Sequence, residues 1–123
     1  MTTEKVAARY YELIQMHQYA QIQDELYAVD AISIEPENDT NLPLMVQGIE
    51  NLRQKEGLFF SQVETMHGSY MSAPIVSSVF FSMMTGMDVT MRGKERKKKD
   101  QIGVFEVRNG KIVKEQFFFD DFA

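Results

Sequence analysis

Glu115 interrupts an otherwise apolar face, since Val113, Glu115, Phe117 and Phe119 fall on one side of a run that alternates with period two. A lone carboxylate among aromatics has two settings. One is a cavity, where Gln101, His67 or a tyrosine pairs with it; the other is a subunit face beside Lys or Arg. Gln101 lies on a matching face of the preceding run, with Gly103, Phe105 and Val107. The two histidines, His17 and His67, offer proton transfer near neutral pH. His67, beside Gly68 in a strand-like run, reads either as a general base or hydrogen-bonding anchor, or as a structural or surface residue. His17 continues the apolar side of a helical pattern and is expected to be buried or half-buried there.

Other chemistries find little material. The absence of cysteine removes thiolate nucleophiles and disulfides, and agrees with a reducing compartment. His17 and His67 are too far apart in sequence to form a helical metal pair and no carboxylate cluster specifies a cation, so no metal is expected. Neither GxGxxG, a P-loop nor a nucleophile elbow occurs, and no cofactor is expected. Of the net charge of -5, the segment Arg92 to Lys99 contributes +5, leaving -10 elsewhere. That segment is expected to be a solvated hairpin tip that also protects a strand edge, and the acidic remainder would repel nucleic acid. No apolar run approaches the roughly 20 residues that span a bilayer, and Met1 to Lys5 lacks the apolar core of a signal peptide. A cytoplasmic protein without membrane association is the resulting expectation.

The elements that must position these residues follow from periodicity. With 123 residues, 44% of them hydrophobic, the chain can form one domain, 1–123, around one core. Val6, Tyr10, Leu13, Ile14 and His17 predict a first helix capped by Thr2 or Thr3. Tyr19 to Tyr27 predicts a second, and Val29 to Glu35 a strand that Pro36 ends. A polar loop over Glu37 to Pro43 precedes a third helix over Gln47 to Phe60. Four strands follow over Val63 to Met71, Ile75 to Met91, Lys99 to Arg108 and Lys111 to Phe119. The last two flank Asn109-Gly110, a pair that tolerates the positive φ of a tight hairpin turn. This order implies an α+β domain with three N-terminal helices on one face of a curved, mostly antiparallel sheet. Phe81, Met83, Thr85 and Met87 alternate onto one face, taken as the cavity side, while Phe80 and Met84 fall on the other. Apolar residues on both faces imply a second cover, most simply another copy of the chain, hence a homodimer.

The phrase from Val104 to Glu115 resembles the closing hairpin of the SnoaL-like group in the nuclear transport factor 2-like superfamily. Met66-His67-Gly68, Pro74 and Met87-Asp88-Val89-Thr90 resemble other recurrent phrases of that group, and the element order matches over nearly the whole chain. The resemblance implies the cone-shaped, cystatin-like fold and a pocket for a small apolar organic ligand. Ketosteroid isomerases, polyketide cyclases and limonene epoxide hydrolases share this fold, as do members that only bind. Tyr27 to Pro36 resembles the isomerase segment that ends in its base followed by proline, which gives Glu35 the base position. Extended back without a gap, the same likeness puts Tyr11 at the oxyanion-donating tyrosine, with Tyr10 taking that place after a one-residue shift. Gly103 stands where the isomerases carry a second, protonated donor, which argues against steroid isomerisation. The Asp-Arg-Asp set of an epoxide hydrolase is not found. Two function classes remain: a cofactor-free isomerase, cyclase or hydratase in which Glu35 or His67 moves a proton on an apolar carbonyl compound, with Tyr11 as hydroxyl donor, and a noncatalytic binding module.

Overall fold

The computed structural model describes residues 1–37 and 42–120; part of the loop expected over Glu37 to Pro43 lies outside them. Helix α1 (Thr3–Gln15) starts where the Thr2 hydroxyl accepts the Lys5 amide, and its Val6, Ala7, Tyr10, Leu13 and Ile14 are buried. Helix α2 (Tyr19–Leu26) runs directly into strand β1 (Tyr27–Ile34). A short strand β2 (Met45–Gln47), which periodicity does not reveal, pairs antiparallel with β1 and leads into α3 (Ile49–Ser61). The remaining strands are β3 (Val63–Met71), β4 (Ile75–Ser77), β5 (Phe80–Met91), β6 (Arg96–Arg108) and β7 (Lys111–Phe118).

Among the described residues the seven strands form one sheet in the order β2-β1-β7-β6-β5-β3, with β4 pairing to β5 beyond the end of β3. Every pairing is antiparallel except β1 with β7. The fold is therefore α+β, with helices on one face of a mixed, mostly antiparallel sheet. Asn109 and Gly110 both take positive φ, 51° and 73°, which a tight β6–β7 turn requires.

Two expectations about the sheet are corrected. The single strand over Ile75 to Met91 is two strands, because the chain reverses at Ser78, whose φ is 57°, and β4 folds back onto β5. The basic run is not a solvated tip throughout. Only residues 92–95 make the turn, while Arg96 to Lys99 belong to β6 and pair with β5. Lys99 is 1% exposed because strand alternation puts it on the inner face with Gln101 and Phe105. His17 is exposed, not packed, since it follows the end of α1 with φ at 57°.

The core joins α1 and α2 to the inner face of β5, β6 and β7, where Tyr10, Phe81 and Phe105 pack as a cluster of rings. Among the described residues no helix is long and apolar enough to cross a membrane.

Candidate functional site

Strand register sets the floor of a cavity. Glu115 on β7 lies opposite Phe105 on β6 and beside Ser33 on β1, so all three share the inner face. The Ser33 hydroxyl donates to Glu115 Oε2 at 2.6 Å, and the Tyr27 hydroxyl donates to Glu115 Oε1. Tyr10, from α1, lines the same cavity as Tyr27. On the other side Lys55, one helical turn past Leu52 on α3, donates to Ser33 Oγ at 2.7 Å and pairs with Glu35 Oε1 at 3.4 Å. A continuous polar chain thus runs from Glu35 through Lys55, Ser33 and Glu115 to Tyr27. It lies along one end of a cavity of about 190 Å³.

Burial governs the electrostatics of this chain. Loss of water pushes the Glu115 carboxyl above its ordinary range, opposed by its hydrogen bonds from Ser33 and Tyr27 and by Lys55. The same desolvation, with Glu115 close by, holds the Tyr27 hydroxyl well above a free phenol and raises Tyr10. Glu56, which accepts from Gln23 at 3.3 Å, is also raised by burial and by the nearby Glu115. The far wall is softer. Phe105, Phe117, Met83 and Met87 supply apolar surface, and Gln101 donates to Thr85 at 3.2 Å.

Glu35, Glu115, Gln101, Met83, Met87, Phe105 and Phe117 all line this cavity. Glu115 therefore faces the cavity and not a subunit face, with Tyr27 as its tyrosine partner. Three expected site residues do not line it. Tyr11 packs half-buried against the core while Tyr10 lines the cavity, because one residue of helix turns a side chain by about 100°. His67 is exposed on β3 with Nε2 2.8 Å from Thr90 Oγ1; a register shift between Met66 and Gly68 turns it to the outer side. Phe81 sits behind the wall, stacked on Phe105 with centroids 4.6 Å apart. Val113 is likewise displaced from its expected face by the irregularity near Val107, which brings Ile112 inward to full burial.

Sequence reasoning missed Lys55, Lys99, Ser33 and Tyr27. Alternation back from Gln101 points to Lys99, and alternation between Ala31 and Glu35 points to Ser33. Lys55 is three residues beyond Leu52, at the spacing of one helix face.

Gly103 also lines the cavity, and its lack of a side chain has a local cause. A Cβ there would meet ring atoms of Phe105 at 3.0 and 3.1 Å and of Phe117 at 3.1 Å. The two rings close over the position that the isomerases give to a donor.

A family model described as the SnoaL-like domain matches residues 1–119. Among solved structures, a candidate SnoaL-like polyketide cyclase from Mesorhizobium loti is 29% identical, with a TM-score of 0.87 over 97% of this chain and 100% of that one. A cystatin-like protein of unknown function from Xanthomonas campestris is 19% identical, with a TM-score of 0.81 over 98% of this chain and 92% of that one. TerC, co-crystallized with polyporic acid, is 14% identical, with a TM-score of 0.77 over 96% of this chain and 91% of that one. The latter two show the same fold. No curated protein matches the sequence.

Proposed function

Because the chain belongs to the SnoaL-like domain family, we propose that it binds a small, largely apolar carbonyl compound and moves protons on it by acid–base chemistry without a cofactor. The observation that carries this reading is Glu115. It is a buried carboxyl, hydrogen-bonded by Tyr27 and Ser33, in a cavity that combines aromatic and methionine side chains with the polar Glu35, Lys55, Glu56, Lys99 and Gln101. Burial that favours its neutral form makes it the proton donor, and Glu35, joined to it through Lys55 and Ser33, is the base. Tyr10 takes the hydroxyl role that the resemblance gave to Tyr11. The cavity, at about 190 Å³, has room for on the order of a dozen non-hydrogen atoms.

Tetralone, an enolisable ketone of that size, is the test substrate. In heavy water the protein should catalyse deuterium exchange at its α-carbon, and Glu35→Gln or Glu115→Gln should slow exchange by about a hundredfold while leaving binding by calorimetry intact. Unchanged exchange in both variants would remove the proton-transfer role.

A second reading, a noncatalytic binding module, is favoured by one feature. Both Glu115 oxygens already accept internal hydrogen bonds, and Gly103 supplies no second oxyanion donor. Binding of tetralone without exchange would select it. In either case a homodimer is proposed. Met84, Ile102 and Phe118 form one cross-strand row on the outer face, and Ile102 and Phe118 are about half exposed.

A further inference from the structure

Lys55 is an unusual residue to find in this cavity. It is 7% exposed, projects from α3 among Leu52 and Phe59, and lines the same space as Glu35 and Glu115. Acid–base transfer alone needs carboxyls and hydroxyls, and these are already present. A buried amine facing an apolar pocket, with a carboxylate placed to accept its proton, is positioned to attack a carbonyl group.

Building on the carbonyl-pocket reading, we infer that Lys55 forms an imine with an aldehyde or ketone bound in the cavity, with Glu35 as its proton shuttle. Glu35 Oε1, 3.4 Å from Lys55 Nζ, takes a proton from the ammonium. The freed lone pair forms the C–N bond as the carbonyl π bond breaks, and Glu35 returns its proton to the alkoxide. Glu35 then takes a second proton from nitrogen and delivers it to the hydroxyl, which leaves as water while the C=N bond forms. The nitrogen ends as an iminium, the carboxylate is unchanged, and no oxidant or reductant is consumed. Ser33, which accepts from Nζ at 2.7 Å, holds the nitrogen toward the floor of the cavity. The substrates that fit are aldehydes and ketones with an aromatic or alicyclic body, matched to the Phe105, Phe117 and Met83 wall.

Naphthaldehyde, of about a dozen non-hydrogen atoms, serves as the probe, with cyanoborohydride to reduce the iminium in place. Peptide mass mapping should find the adduct, the aldehyde less one oxygen atom, on Lys55 at about tenfold the level of any other lysine. Lys55→Met, which keeps the packing volume, and Lys55→Arg, which keeps the charge, should both lose that adduct while retaining a native circular dichroism spectrum. Glu35→Gln should slow trapping by about a hundredfold. Calorimetric binding of naphthaldehyde with no adduct on Lys55 overturns the imine and leaves the pocket reading standing. An adduct that persists at equal level in Lys55→Arg also overturns it. Failure of both naphthaldehyde and tetralone to bind overturns the carbonyl-pocket reading and the imine together.

Discussion

Phe105 and Phe118 lie on neighbouring strands of one sheet, yet Phe105 is 1% exposed and Phe118 is 50% exposed. The same contrast separates Phe81 from Phe80 and Met83 from Met84 along β5. The inner set meets α1, α2 and the cavity, whereas among the described residues the outer set meets nothing that buries it to a comparable degree. The two faces use the same residue types, so side-chain chemistry alone does not set their environment. What separates them is the layer of helices, which covers one face and leaves the other to solvent or to a partner.

Stability measurements sharpen this comparison most directly. Phe105→Ala should cost ~3–5 kcal/mol in urea unfolding, because it empties a site packed by Phe81, Tyr10 and Phe117. Phe118→Ala, measured at concentrations where the chain is monomeric, should change stability by no more than about 0.5 kcal/mol. Equal losses would erase the distinction between the faces. Next in size, Gly103→Ala should cost ~1–3 kcal/mol by forcing apart the Phe105 and Phe117 rings. Gly86→Ala on β5 should cost less, since the overlying Tyr70 ring can swing away at the loss of its bond to Asp100. The proposed dimer gives a third contrast. Ile102→Lys should weaken self-association in sedimentation equilibrium by about tenfold or more without altering tetralone binding inside the cavity.

The smallest effect concerns pH. Burial raises the native Glu115 above its unfolded value, so its contribution is fully present below the ordinary carboxylate range and is lost as pH rises through the native value. Glu25, half-buried on α2, is the opposite case. Hydrogen bonds from Arg9 and Gln21 lower it to about 2, so its contribution is present above the ordinary range and lost as pH falls toward that value. Melting temperature against pH should therefore lose its decline toward neutrality in Glu115→Gln, and lose part of its acid-side decline in Glu25→Gln. A Glu115→Gln profile parallel to the parent would mean that burial does not hold the carboxyl neutral.

Much of the architecture was legible because it is local. The α1 face follows from 3.6-residue spacing, and the β6–β7 hairpin from alternation around Asn109-Gly110. Local signals failed where one residue changes the phase. The shift between Met66 and Gly68 turned His67 outward, the reversal at Ser78 split a strand, and one helical step exchanged Tyr11 for Tyr10. The candidate site was legible only in part for a different reason. Glu35 and Glu115 stood out as polar residues in apolar settings, whereas Lys55 and Lys99 look like ordinary surface lysines until the fold buries them.

The sequence by itself determined the α1 face, the closing hairpin and the presence of a carboxylate among aromatics on β7, because each is written in spacing over a few residues, and its recurrent phrases carried the resemblance to the family. Only the tertiary structure decided that Ser33, Lys55, Tyr27 and Glu115 meet. They come from β1, α3 and β7, and the Tyr27–Glu115 bond closes a separation of 88 positions. That meeting depends on the parallel pairing of β1 with β7, which sets Ser33 beside Glu115. It depends equally on the packing of α3 over the sheet, which carries the Lys55 amine into the cavity beside Glu35.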